Sequence, residues 1–320
     1  MNGAPIFNRL ALIGMGLIGS SIARAVRAQG AARSIVATAR SAATRRRVAE
    51  LGLADQVVET NTAAADGADL VIVAIPVGAC GTVAAEIGPH LAPGTIISDV
   101  GSVKSTVLRD MSPHLPAGVH FVPAHPVAGT ENSGPDAGFA ELFVDRWCIL
   151  TPAPNVDPAA VERLSSFWRL LGANVETMSA EHHDLVLGIT SHLPHLIAYT
   201  IVGTADELSQ VTRSEVLQFS AGGFRDFTRI AASDPTMWRD VFLANKTGVL
   251  EMLGRFNRDL AHLTQAIEAA DGDTLFDLFT RTRTIRRGIV AIGQDSEAPD
   301  FGRPRPPLTP LPRPYASETE

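Results

Sequence analysis

Residues Leu10–Arg27, LALIGMGLIGSSIARAVR, decide the fold. An apolar run, Leu10-Ala11-Leu12-Ile13, reaches Gly14, and Gly14-Met15-Gly16-Leu17-Ile18-Gly19 follows at once. Ser20 and Ser21 then lead into an alanine-rich segment with helical periodicity. Strand, glycine-rich turn and helix in that order are the context in which G-x-G-x-x-G binds a dinucleotide. Each glycine has its own task. Gly14 permits the tight turn, Gly16 lets a pyrophosphate approach the backbone, and Gly19 lets helix and strand pack closely. Leu17 and Ile18 complete the turn as candidate cofactor contacts, where exposed N–H groups and the positive end of the helix dipole hold phosphates.

Working outward, Ser34–Thr38 reads as a second strand and Ala42–Leu51 as a helix ending near Gly52. Val57-Val58 is a short strand candidate. Asp69–Ile75, DLVIVAI, is the continuous apolar run of a strand buried on both faces, stopped by Pro76. Residues 78–90 read as helix and Thr95–Val100 as the next buried strand. Val119–Val122, Trp147–Leu150 and Asn174–Thr177 are further strands. Alternating short strands and helices predict an α/β fold, a doubly wound parallel sheet of Rossmann type.

Beyond Ser179 the texture is all helical. Glu181–Val202 is apolar nearly all round, which predicts a helix buried on every side and a subunit interface. Trp238–Ala270 carries leucines at multiples of three and four, Asp271-Gly272-Asp273 breaks it, and a helical stripe resumes from Leu275 to Ile289. The expected organisation is a Rossmann domain over 6–178, a helical substrate and dimerisation domain over 179–293, and a disordered proline-rich tail over 294–320.

With 320 residues, 45% hydrophobic and 19% charged, the chain can bury a sizeable core. Its net charge of −7, with Arg45-Arg46-Arg47 as the one basic tract, argues against nucleic acid as a partner. Cys80 and Cys148 lie far apart with no C-x-x-C, which fits a reducing compartment and argues against zinc or disulfides. MNGAPIFNRL has no signal-type apolar region, and no unbroken apolar run approaches membrane-spanning length. A soluble, cytoplasmic protein with no membrane partner is expected.

An NAD-specific site places an acidic residue about 20 positions after the glycines to bind the ribose 2′-OH. Here Thr38-Ala39-Arg40-Ser41 holds that place. Arg40 suits a 2′-phosphate, helped by Ser41 and one of Arg45 to Arg47, which leans the choice between NAD and NADP toward NADP. The alternative is an ordinary exposed arginine in an enzyme that accepts either.

Four stretches go beyond a generic Rossmann domain. Asp99-Val100-Gly101-Ser102-Val103-Lys104 leaves a buried strand and opens a helix, putting Ser102 at the sheet edge where ligands bind; its plain role is a helix cap. His125-Pro126-Val127-Ala128-Gly129-Thr130-Glu131 follows the strand FVPA in a loop-like region. An imidazole there titrates near neutrality and can be a general base, or simply a structural histidine. Ser191-His192-Leu193-Pro194-His195 sets two imidazoles three residues apart on the most apolar helix. A metal site needs a third ligand, for which His182 and His183 are candidates, but nothing fixes their geometry and no metal is expected. Finally, GGFRDFTRI (222–230) precedes SDPTMWRD (233–240). Arginines in an apolar domain invite a carboxylate ligand, or form an Arg–Asp structural network.

In this order, GMGLIG, DVGSVK, HPVAGTENSG, SHLPH and GGFRDFTRIAASDPTMWRD resemble the prephenate/arogenate (cyclohexadienyl) dehydrogenase family, from about Arg9 to Ile292. The resemblance implies a Rossmann domain followed by a helical homodimerisation domain. It also implies oxidative decarboxylation of prephenate or arogenate with NAD+ or NADP+, giving 4-hydroxyphenylpyruvate or tyrosine. By the same resemblance His125 is the catalytic histidine, and Ser102 positions it beside the nicotinamide. Arg229 binds a substrate carboxylate with Asp226 to orient it, His195 lines the pocket, Glu131 sits near its entrance, and His192 shares the motif. The chain lacks room for the mutase or regulatory domains of some relatives. Two other readings compete: a β-hydroxyacid-type dehydrogenase, which would need Lys246, and a non-catalytic nucleotide-binding redox sensor.

Overall fold

Strand β1 (Phe7–Ile13) shows why its sequence is an unbroken apolar run. Leu10 and Leu12 enter one hydrophobic core while Ala11 and Ile13 enter another, so both faces of the sheet are covered. Strand β4 (Leu70–Val73) repeats the pattern, with Leu70 and Ile72 on the first side and Val71 and Val73 on the second. The computed structural model describes residues 4–130, 132–211 and 222–291.

Six parallel strands form the main sheet in the order β3-β2-β1-β4-β5-β6. Here β2 is Ala32–Thr38, β3 Gln56–Val57, β5 Ile96–Asp99 and β6 His120–Phe121. The order reverses between β1 and β4, which opens the crevice at their carboxyl ends where α/β folds bind ligands. Helices α1 (Leu17–Gln29), α2 (Ala42–Glu50), α3 (Asn61–Ala65), α4 (Cys80–Ile87) and α5 (Ser105–Met111) connect the strands.

The strands Trp147–Leu150 and Asn174–Thr177 exist as the sequence predicts, but they lie in a second sheet. There β7 (Ala124–Pro126) pairs antiparallel with β8 (Trp147–Leu150), and β8 pairs parallel with β9 (Asn174–Thr177). Apolar periodicity reports that a strand is buried, not which strand it pairs with. The loop expected around His125 is corrected as well: His125 sits mid-strand, opposite Ile149. Three residues, one of them proline, are too short a run to read as a strand. Helix α6 (Pro158–Leu170) covers this side with Phe167 and Trp168 fully buried.

The expected helix over 181–202 is α7 (Ala180–Leu187), a π turn (Gly188–His192) and α8 (Leu193–Val211). It is not buried on every side, because Leu185, Ile189, Ile201 and Leu208 are 39–52% exposed in the single chain. By length and composition Ala180–Leu208 would suit a bilayer, with mean hydropathy 1.5. However, His183, Asp184 and His192 on it are buried and hydrogen-bonded within the fold, an arrangement that ties it to protein. Then follow α9 (Gly222–Thr228), a 3₁₀ turn (Arg229–Ala232), α10 (Pro235–Ala244), α11 (Lys246–Glu268) and α12 (Gly272–Ala291). The single helix expected over 238–270 is broken at Asn245, whose side chain turns inward to the Asp184 carbonyl and His192.

By compactness the chain divides into Met1–Gly254 and Arg255–Glu320. In the first unit Val103 packs with Trp238 and Val241, and the Thr106 hydroxyl donates to the Ala244 carbonyl at 2.9 Å. In the second, Leu260, Ile267, Phe276, Phe279 and Ile285 are exposed. The proline-rich tail lies outside the described residues.

Candidate active site

The three glycines of the turn carry separable constraints. Gly14 has φ +98°, and a Cβ there would run into the Ala74 carbonyl oxygen just past β4. A Cβ on Gly19 would strike the Gly14 carbonyl oxygen, so α1 can approach the turn only without a side chain. Gly16 is different. A Cβ there meets nothing within 4 Å, so the space it leaves faces outward. With no acidic residue in the first turn of α1, that space and the helix N-terminus fit the pyrophosphate of a dinucleotide. Leu17 and Ile18, half-buried, open the helix.

At the ribose end, Arg40 follows β2 and is exposed. Ser41 caps α2, its hydroxyl accepting the Thr44 N–H at 3.0 Å. Arg45 donates to the Ala39 and Arg40 carbonyls at 2.8 and 3.2 Å. Arg47 pairs with Asp136 at 2.6 Å and with Glu50 at 3.0 Å. Of the helpers expected beside Arg40, Ser41, Arg45 and Arg47 are thus engaged in local structure, while Arg46 is exposed.

At the carboxyl end of β5 the polar groups are buried. Lys104, fully enclosed, pairs with Asp99 at 2.5 Å and donates to the Ala124 carbonyl at 2.8 Å, fixing the residue before His125. Burial pushes the Asp99 carboxyl up, and Lys104 pulls against it. Ser102 is half-buried in the turn and is not the cap of α5. That helix is capped from a distance: the Asp184 carboxylate of α7 accepts the Lys104 and Ser105 N–H groups at 2.8 and 2.9 Å.

His125 is 8% exposed, and its Nδ1 lies 2.8 Å from His183 Nε2. His183 Nδ1 in turn lies 2.9 Å from Asp184 Oδ1. Burial, reinforced by His183, Lys104 and His192, holds His125 well below the usual imidazole range, so it is neutral at pH 7. A cavity of about 350 Å³ begins just past it, along Val127, Ala128, Gly129, Thr130 and Phe139.

His195 is half-buried and stacks on Trp238, with centroids 3.6 Å apart and rings at 23°. Its Nδ1 donates to the Ser191 carbonyl at 2.9 Å, which leaves Nε2 as the acceptor. Burial lowers its pKa, and the Arg229 guanidinium works the same way against the Ser191 bond. Arg229 itself is half-buried at the start of the 3₁₀ turn. His192 is fully buried; its Nδ1 accepts from Asn245 Nδ2 at 3.0 Å, and burial pulls it down to about 4. Asp226 is exposed on α9. Glu131 lies outside the described residues. Among the described residues no group of three His, Cys, Asp or Glu side chains is arranged to hold a metal ion.

The structure therefore brings Ser102, His125, His192, His195 and Arg229 into one unit, and adds four residues that the sequence did not mark as functional. His183 appeared there only as a metal candidate, and Asp184, Trp238 and Asn245 carried no role. Paired titratable residues inside an apolar helix, His183-Asp184, were the available signal.

A dinucleotide turn at the reversal point of a parallel sheet, with a neutral buried histidine near the end of β5, defines a Rossmann-type dehydrogenase. Residues 22–177 match the family model for the prephenate dehydrogenase nucleotide-binding domain, and residues 179–281 match that for the prephenate dehydrogenase dimerization domain. The first match begins inside α1, so the glycine turn is a separate observation. The chain is 43% identical over 284 residues to the cyclohexadienyl dehydrogenase of Zymomonas mobilis, covering 89% of this chain and 97% of that one. It is 34% identical over 279 residues to the prephenate dehydrogenase of Bacillus subtilis, covering 87% and 75%. The structure resembles Aquifex aeolicus prephenate dehydrogenase, solved with hydroxyphenyl propionate and NAD+, with TM-score 0.82 and 31% identity over 88% of this chain and 98% of that one. Synechocystis arogenate dehydrogenase gives TM-score 0.74 at 25% identity, over 88% and 99%. The chain belongs to the prephenate dehydrogenase family.

Proposed function

We propose that this protein oxidatively decarboxylates prephenate, arogenate or both, with NAD+ or NADP+ as hydride acceptor. The observation that carries the reading is His125, neutral and held by a ring-to-ring hydrogen bond near the end of β5. Both substrates are cyclohexadienes with a ring carboxylate and a C4 hydroxyl. His125 accepts the hydroxyl proton, and the electron pair of that O–H bond forms the C4 carbonyl as the C4–H bond breaks. The nicotinamide, when bound, takes the hydride. The new carbonyl draws electrons through the diene, the bond to the ring carboxylate breaks, CO₂ leaves, and the resulting phenolate takes back the proton held by His125 to become a phenol. Aromatisation drives the chemistry, so the residues mainly position, stabilise charge and exclude water. Arg229 holds a substrate carboxylate with its guanidinium fork, and His195, braced by Trp238, lines the same pocket.

The exposed Arg40 and the missing acidic residue after β2 favour NADP over NAD. The uncovered apolar face of α7 and α8 and the match to a dimerization domain support a homodimer. Domain limits at 6–178 and 179–293, and a cytoplasmic location, complete the reading. Lys246, the residue a β-hydroxyacid mechanism would need, is exposed at the start of α11.

The test mixes purified protein with prephenate or arogenate, each with NAD+ and with NADP+, and follows reduced nicotinamide by absorbance. Reduction in any combination supports the assignment and orders the substrates and cofactors. No reduction in all four, from folded protein that still binds dinucleotide, would overturn it.

A further inference from the structure

The hydrogen bonds around His125 admit one arrangement of protons. A carboxylate only accepts, and both oxygens of Asp184 are met by donors: Oδ1 by the Lys104 N–H at 2.8 Å, and Oδ2 by the Ser105 N–H at 2.9 Å. The remaining contact, His183 Nδ1 to Asp184 Oδ1 at 2.9 Å, therefore has the imidazole as donor. With its proton on Nδ1, neutral His183 offers only a lone pair at Nε2. Across the 2.8 Å contact to that atom, His125 must donate from Nδ1. The proton that a neutral imidazole carries is then used, and Nε2 of His125 is left as a lone pair. Among the described residues, Nε2 of His125 has no protein hydrogen-bond partner.

We propose that His183 and Asp184 are positioning residues that fix His125 in the tautomer with its proton on Nδ1, so that its Nε2 lone pair meets the substrate hydroxyl. The inference rests on the reading of His125 as the proton acceptor. It adds residues 58 and 59 positions further along the chain, on helix α7 rather than on the strand that carries His125. As the hydroxyl proton arrives at Nε2, His125 becomes a cation. Its Nδ1–H still donates to His183, and the Asp184 carboxylate lies behind that ring to offset the charge. Nothing else needs to move.

The surroundings agree. Burial lowers the His183 pKa, with Lys104 acting the same way and Asp184 and Asp99 opposing, so the ring stays neutral as the arrangement requires. Burial works to raise Asp184, but the bonds from His183 and the Lys104 and Ser105 N–H groups win and keep it ionised. The groups acting on His125 itself are His183, Lys104 and His192, all cationic when protonated, and they disfavour a standing charge on its ring. A plain structural contact would not need a carboxylate at one end and a vacant nitrogen at the other.

Two measurements test this. In protein with ¹⁵N-labelled histidine, long-range proton–nitrogen spectra read the His125 tautomer without substrate, so this result stands even if the substrate assignment fails. A wild-type His125 protonated on Nδ1 is expected; the Nε2–H form would overturn the proposal. The second measurement uses variants. Asp184→Asn keeps an acceptor for His183 in only one of its two amide orientations, and in either it removes the negative charge that offsets the cation formed on His125. It should lower kcat about 100-fold or more, with KM and dinucleotide binding within a few-fold. Since Asp184 also caps α5, His183→Leu and His183→Gln provide a pair independent of that cap. Leucine removes the acceptor, whereas glutamine can offer its carbonyl oxygen to His125 Nδ1 and should recover at least 10-fold in kcat over leucine. Equal activity of the two variants, or an Asp184→Asn enzyme that folds and keeps wild-type kcat, would overturn it. So would losses confined to KM or melting temperature.

Discussion

The two ends of this site use similar charged residues in opposite ways. Around His125, Asp99, Lys104, His183 and Asp184 are sealed from water and each has at least one specific partner. At the corner after β2, Arg40, Arg46, Arg47 and Asp136 lie in solvent, and the Arg47–Asp136 pair is exposed on both sides. Charges in the first region are strengthened by the low dielectric and cannot be left alone; those in the second are screened and replaceable. The same geometry, a short ion pair, thus has different consequences at the two places. Desolvation decides which.

The largest effect should come from removing the proton acceptor. His125→Asn is expected to lower kcat by about 10²–10⁴-fold while dinucleotide binding and folding persist, as steady-state kinetics and cofactor titration would read. A fully active variant would remove the mechanism. Next, Lys104→Met leaves Asp99 buried without its cation and should cost about 3–5 kcal/mol in urea unfolding. By contrast Arg47→Ala, at the exposed corner, should leave the unfolding midpoint unchanged. If both variants unfold alike, the contrast between the regions is wrong.

Acid should expose the same difference. Burial keeps His192 unprotonated down to about pH 4, whereas in the unfolded chain the imidazole binds its proton near 6.5. Between those values the unfolded state holds more protons. Stability is therefore full above about pH 6.5 and declines as the pH falls toward 4, by about 3 kcal/mol from His192 alone. His125, His183 and His195 are depressed as well and act in the same direction. Urea midpoints at pH 7.5 and 5 check this, and equal values would contradict the burial of these rings. Arg229→Ala should mainly raise KM, roughly 10- to 100-fold, because a charge-assisted bond of about 1.5–3 kcal/mol is lost. A loss in kcat alone would take Arg229 out of substrate binding. The smallest effect belongs to the exposed corner: Arg40→Ala should raise KM for NADP+ several-fold and leave NAD+ nearly unchanged. Equal shifts for both cofactors would argue that Arg40 does not read the 2′-phosphate.

Much of this molecule was legible before any coordinates. Glycine spacing with a strand before it and a helix after it predicts the dinucleotide turn, and the added-Cβ clashes at Gly14 and Gly19 give its steric cause. Runs such as DLVIVAI predict strands covered on both faces, because burial on two sides leaves no polar alternation. His125 and Arg229 stood out by residue type and by the motifs around them. Less legible was anything that depended on a partner. A helix cap is the plain alternative role for Ser102 in the sequence, yet α5 is capped by a carboxylate 80 residues away from Lys104. One helix was expected over 238–270, yet Asn245 interrupts it to satisfy His192 and the Asp184 carbonyl.

Sequence by itself thus determined the class of fold, the dinucleotide turn and the types of side chain available for chemistry. These are set by local spacing, by backbone geometry and by which residues must leave water. Tertiary structure alone decided that β7, β8 and β9 form a separate sheet, and that His125 faces His183. It also decided that Asp184 serves both a helix end and a histidine. Hydrogen bonds between residues tens of positions apart have no periodicity to read, and the charge state of a buried group is set by neighbours that only folding supplies.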